Sequence, residues 1–99
     1  MRTNYSSGTS EVRRIIIDQA EGMDNQVGVC LDSNEEGARR FCYYLYRRGI
    51  GAKHMPSSKY EGYDWFAYAT SQGLNKKQVV EKILPACKRK TDDIQIITD

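Results

Sequence analysis

The chain lacks most of the residue patterns that mark an enzyme or a membrane protein. It has one histidine, and its three cysteines form no CxxC pair, so we expect no metal site and no cofactor. It also contains no GxGxxG motif, no P-loop and no apolar run that would suit a signal peptide or a membrane span. We therefore expect a non-catalytic protein of the reducing cytoplasm, without a membrane partner.

The chain also lacks a strong excess of charge of one sign. Its formal net charge is +2, which is too small for binding driven by phosphate neutralisation over the whole molecule. Any role with nucleic acid would therefore depend on a local patch. The 99 residues can bury only one modest core. We expect one domain over residues 11–99, preceded by a flexible polar tail over residues 1–10 that has little to bury.

Apolar periodicity and turn signals predict five strands and two helices. The helices begin at capping boxes that start with Ser33 and Asn75, and the first helix ends at Gly49. The predicted strands cover residues 12–18, 27–32, 50–55, 63–70 and 94–98, with a loop between the third and the fourth.

From the second strand onward the predicted order is βαββαβ, which indicates an α+β fold with a ferredoxin-like arrangement. Both helices would then pack on one face of a mainly antiparallel sheet. The extra N-terminal strand creates a conflict, because it cannot form a hairpin with the second strand and leave both neighbours of that strand in place. The extra strand either joins an edge or changes the topology, and the order of the elements does not decide between the two.

The first helix has two contrasting faces. Residues Ala38, Phe41, Cys42 and Leu45 have the spacing of a buried stripe, so the remaining positions face outward. Those outward positions hold two rows in which the same side-chain types recur every four residues, namely Arg39, Tyr43 and Arg47 in one row and Arg40, Tyr44 and Arg48 in the other.

Arginine and tyrosine are enriched where proteins hold their partners, and the two can also pair with each other through cation–π contacts. Our first hypothesis is therefore an inhibitor or adaptor, of the kind that phages and mobile elements encode. It would occupy an acidic surface of a larger protein or nucleoprotein through these six side chains, helped by the loop over residues 56–62. The alternative to a binding role is that this face of the first helix is only exposed to solvent, with its tyrosine rings lying flat under the neighbouring arginines. Exposed tyrosines or an edge strand could also pair two copies into a homo-oligomer.

A second hypothesis rests on the aromatic strand. Residues 61–68 resemble the RNP1 octamer of RNA-recognition motifs, with Gly62 and aromatic residues at matching positions. The resemblance implies a binder of RNA or single-stranded DNA in which Tyr63 and Trp65 stack on bases from an open sheet face, while Phe66 and Tyr68 lie in the core. Glu61 and Asp64 depart from the motif, which has a basic and a small residue at those positions. Packing on the N-terminal strand or on a protein partner is the other interpretation of these aromatics.

Overall fold

The structure, a computed structural model, describes residues 11–98. The predicted tail over residues 1–10 lies outside the described residues. Seven elements follow one another in the predicted order of strands and helices. They are β1 (Arg14–Asp18), β2 (Gln26–Asp32), α1 (Glu35–Tyr46), β3 (His54–Tyr60), β4 (Tyr63–Thr70), α2 (Lys76–Lys88) and β5 (Ile94–Ile97).

The third strand lies further along the chain than predicted. Ile50 is buried, but the nearby backbone forms only an isolated bridge between Gly51 and Thr70. β3 begins at His54 and runs through the segment predicted as a loop. Pro56 does not end this strand, because β3 is at the edge of the sheet, where a missing backbone N–H is tolerated.

The strands form one mixed sheet in the order β3-β4-β2-β1-β5. β1 is antiparallel to β2 and parallel to β5, while β4 is antiparallel to both β2 and β3. The predicted α+β class is confirmed, but the ferredoxin-like order is not. The reason is that β1 forms a hairpin with β2 and occupies the position beside β2 that the last strand would take in a ferredoxin-like sheet.

The main core lies between the sheet and the two helices. The stripe predicted on α1 is confirmed, since all four of its residues are buried. α2 contributes Val79, Val80 and Ile83, and the central strands contribute Ile15, Ile17, Val27, Val29 and Leu31. These residues form a continuous apolar layer that fixes α1 on the sheet and leaves its opposite side outward.

The other face of the sheet is also covered. Ile16, Cys30 and Phe66 form a second buried cluster, which for convenience is called the second-face cluster, and Tyr60, Tyr63, Tyr68 and Ile97 pack against it. Pairing between β3 and β4 is irregular between Pro56 and Tyr60, and the residues beyond this irregularity pack over the cluster. The isoleucine run of β1 is therefore buried on both faces.

Candidate interaction surface

The two ends of α1 are fixed by local hydrogen bonds. The helix is capped by Asn34, whose Oδ1 accepts a hydrogen bond from the N–H of Gly37 at 2.8 Å. The predicted cap at Ser33 is therefore wrong by one residue, because the Ser33 hydroxyl donates instead to the carbonyl of Asn34. At the other end Gly49 has a φ of 80°, and the N–H of Ile50 donates to the carbonyl of Leu45 at 3.0 Å. A defined beginning and end hold the outward face in one orientation.

The first outward turns of α1 carry two arginines that share one carboxylate. Arg39 and Arg40 donate to the two oxygens of Glu36 at 2.5 and 2.7 Å. The hydrogen bond from Arg39, followed by that from Arg40, lowers the pKa of Glu36. Both arginine side chains remain more than half exposed, at 59% and 64%. The pairing orients the guanidinium groups without removing them from the surface.

The next turn presents two tyrosines as a stacked pair. The rings of Tyr43 and Tyr46 are 6.5 Å apart between centroids and inclined by 24°. Tyr43 is 60% exposed and Tyr46 is 70% exposed. Tyr43 was among the predicted binding residues and Tyr46 was not, although the i, i+3 spacing of the two tyrosines indicates this contact. Two large aromatic rings therefore lie on the surface beside the arginines.

The second predicted row behaves differently from the first. Tyr44 is half-buried against the main core, and the guanidinium carbon of Arg48 lies 3.4 Å from the centroid of its ring. The ammonium group of Lys90, beyond the end of α2, is 5.2 Å from the same centroid. The Tyr44 hydroxyl is buried and has no hydrogen-bond partner within residues 11–98. Tyr44 therefore packs against the main core, and Arg48 covers it as the alternative interpretation expected.

These positions define the surface that is available for a partner. We call it the α1 patch, and it consists of Arg39, Arg40, Tyr43, Tyr46 and Arg47. Arg47 is exposed and forms no ion pair with an acidic side chain within residues 11–98. The patch combines a stacked aromatic pair with cations on either side of it along the helix.

The RNP1-like strand does not present its aromatics as expected. Trp65 pairs with Leu31 and packs against the main core on the helix side, where its ring lies 5.5 Å from that of His54. Tyr63 lies in the second-face cluster, with the guanidinium of Arg14 at 4.7 Å from its ring. The expected open face is therefore wrong for Trp65. Phe66, which was expected in the main core, lies on the opposite face because alternation along β4 follows its pairing with β2.

A buried carboxylate ties the β3–β4 hairpin to the sheet. Asp18 is 2% exposed and accepts hydrogen bonds from the hydroxyl of Tyr60 at 2.7 Å and from the ammonium of Lys59 at 3.3 Å. Burial alone would raise the pKa of Asp18, but these bonds and one from the N–H of Ala20 outweigh burial and lower it. The bond to Asp18 raises the pKa of Tyr60 to about 12. Lys59 also contacts Glu21, so the hairpin is held by charged as well as apolar contacts.

The three cysteine side chains are buried. Burial raises the pKa of Cys30 and Cys87 to about 12 and that of Cys42 to about 11, so all three thiols stay protonated at neutral pH. The Nε2 of His54 is 3.6 Å from a carboxylate oxygen of Glu35. Within residues 11–98 no group of three or more His, Cys, Asp or Glu side chains is arranged to hold a metal ion.

The chain was also compared with protein-family models, with curated proteins and with solved structures, and none of the three comparisons found a match. Neither α1 nor α2 combines the length and the apolar character that a membrane-spanning helix needs.

Proposed function

We propose that this protein is a non-catalytic binding protein, an inhibitor or adaptor that occupies an acidic surface of a larger protein through the α1 patch. The observation that carries the proposal is the stacked pair of Tyr43 and Tyr46. Both rings are largely exposed, although the opposite side of the same helix is fully buried. A helix of this kind offers a rigid base for side chains that a partner can contact.

This surface offers a partner favourable binding free energy at a low cost in conformational entropy. Two tyrosines that already contact each other lose little conformational freedom on binding, and their rings offer a large apolar area with a polar hydroxyl at the rim. Tyrosine and arginine are also the residue types that dominate measured binding hot spots. The pair therefore supplies an anchor at the centre of the patch.

The charges indicate the chemistry of the partner. Arg39, Arg40 and Arg47 surround the tyrosines, and guanidinium groups bind carboxylates in a bidentate fashion. Glu36 neutralises one of the three charges, so the patch remains net positive. An acidic protein surface complements this arrangement, and its attraction would speed association and decrease with added salt.

The proposal is tested by affinity purification of the tagged 99-residue chain from its native host, with and without nuclease. We expect a protein partner that is retained after nuclease treatment. Replacing Tyr43 and Arg47 together by alanine should weaken binding to that partner by at least about 2 kcal/mol, while circular dichroism shows an unchanged fold. Binding affinity is measured by titration calorimetry with the purified partner.

A matched control replaces one exposed apolar residue and one exposed cation elsewhere, Met23 and Lys77, by alanine. This control should bind the partner as the unaltered chain does. Undiminished binding by the folded Tyr43 and Arg47 variant would show that the α1 patch is a solvated face. Loss of the captured material on nuclease treatment would instead favour the nucleic-acid hypothesis.

A further inference from the structure

The two edges of the sheet differ in how they are protected from another strand. β3, at one edge, contains Pro56 and an irregular register, and Lys59 lies within it. Proline, irregular pairing and lysine are the devices by which natural proteins prevent edge-to-edge association. β5, at the other edge, is a short strand of four residues, Ile-Gln-Ile-Ile, which pairs regularly with β1 and contains no proline and no lysine.

The outer side of β5 carries unused backbone hydrogen-bonding groups. The carbonyls of Asp93 and Ile97 accept from β1 at 3.0 and 2.8 Å, which directs residues 93, 95 and 97 inward. Ile94 and Ile96 therefore turn their backbone groups outward, and the N–H of Ile94 is already bonded to the carbonyl of Asp92. Within residues 11–98 no strand lies beside the outward N–H and C=O of Ile96.

The side chains next to this edge are apolar in the middle and charged at the two ends. Leu84 and Lys88 of α2 line a groove together with Asp92, Ile94 and Ile96, and Ile96 is 42% exposed. Glu81 continues the same stripe one turn earlier on α2, since it lies three residues before Leu84. The stripe therefore carries Glu81 on one side of Leu84 and Lys88 on the other, and Asp92 follows Lys88 at the end of the groove. Neither Glu81 nor Lys88 forms an ion pair within the described part of the chain.

This charge arrangement is complementary to itself. α2 runs opposite to β5, because it connects β4 to β5 and these two strands have the same direction in the sheet. A two-fold axis through Ile96 would pair β5 with its copy in the antiparallel sense. The same axis turns the stripe around, so that Glu81 of each copy approaches Lys88 of the other. In the same dimer the outward backbone groups of Ile96 would form hydrogen bonds with the other copy, and the exposed Ile96 side chain would become buried.

We propose that two copies of this chain associate through β5 into a homodimer in which the sheet formed by residues 11–98, with five strands in each copy, continues from one copy into the other. The proposal is independent of the function proposed for the α1 patch. A second copy is the partner that fits this edge, because the charges on the stripe match their own two-fold image, which an unrelated strand has no reason to do.

The test is sedimentation velocity of the 99-residue chain from about 1 to about 300 μM, a range that covers weak to moderate dimers. We expect a dimer at the upper end of this range. Ile96→Lys places a charge at the centre of the interface and should leave a monomer whose circular dichroism is unchanged. Tyr43→Ala, on the α1 patch, should not alter the dissociation constant of the dimer.

Charge reversal provides the sharper experiment. Glu81→Lys and Lys88→Glu, each made alone, bring like charges together across the axis and should each weaken the dimer about tenfold or more. The double variant restores opposite charges and should return to within about threefold of the unaltered chain. A chain that stays monomeric throughout the range, a dimer that survives Ile96→Lys, or a double variant that is not restored would each overturn the proposal. Binding of an extended peptide at this edge by a monomeric chain would also overturn it.

Discussion

The α1 patch and the second-face cluster are both rich in aromatic residues, but their aromatics are held in opposite ways. On α1 the rings of Tyr43 and Tyr46 contact each other and solvent, and the neighbouring arginines bind Glu36. On the sheet, Tyr60 and Tyr63 lie over a buried cluster and are held there by Asp18 and Arg14. A count of aromatics would treat the two surfaces as equal.

The difference shows that charged partners decide whether an aromatic surface is available to another molecule. In the second-face cluster the charged groups bind the aromatics themselves, so the hairpin is fixed to its own sheet. In the α1 patch the charged groups bind one another, and the tyrosines remain accessible. We therefore expect changes in the cluster to reduce stability and changes in the patch to affect binding.

The largest effect should come from Phe66, which is buried at the centre of the second-face cluster. Phe66→Ala should cost about 3 to 5 kcal/mol of folding free energy, because it removes a large side chain and leaves a cavity. Tyr43→Ala, on the exposed patch, should cost less than about 1 kcal/mol. Urea titrations of the two variants measure this contrast. Equal losses of stability would mean that the two surfaces do not differ as described.

A smaller effect is expected at Asp18, and it should depend on pH. Asp18→Asn should cost about 1 to 3 kcal/mol near neutral pH, because the charge that accepts bonds from Tyr60 and Lys59 is lost. The folded state lowers the pKa of Asp18 below its ordinary value of 3.8, so its contribution is complete above that value and disappears as the pH falls through the lower folded value.

The difference in stability between Asp18→Asn and the unaltered chain should therefore shrink in acid. Urea titrations at about pH 7 and at about pH 3 measure the difference directly. A difference that is the same at both pH values would show that the Asp18 charge does not stabilise the hairpin.

The smallest effect is expected at Glu36. Glu36→Gln removes the carboxylate that Arg39 and Arg40 share, but an exposed ion pair contributes little to stability. The melting temperature should change by less than about 2 °C. The variant also gains net positive charge on the patch, so its association with an acidic partner should become faster and more sensitive to salt. Thermal melting and stopped-flow association at two salt concentrations are the measurements.

Local sequence signals predicted the local features well. The alternation of apolar residues indicated the order of strands and helices, and the capping box of Asn75 and Gln78 is present as predicted. The buried stripe of α1 followed from its spacing because the helical repeat alone decides which residues share a face. Such features depend on residues that are close together in the chain.

Features that depend on residues distant in the chain could not be predicted from the sequence in the same way. The position of β1 is set by its pairing with β5, and no local pattern encodes the pairing of Ile15 with Ile94. Alternation along β4 predicted that Tyr63 and Trp65 share an open face, but Tyr63 packs on the second-face cluster and Trp65 on the main core. Only the pairing of β4 with β2 decides which face Trp65 occupies. Asp18 appeared in the sequence as the end of a strand, and its role depends on a tyrosine that follows it by 42 positions.

The placement of β1 between β2 and β5 also affects how the chain folds. The β1–β2 hairpin is local and can form as soon as residues 14–32 are available, yet its other side stays without a partner until residues 94–97 arrive. Contacts between such distant segments slow folding, because a long loop must close before they form. During synthesis on the ribosome, β1 would therefore be the edge of an incomplete sheet until β5 emerges.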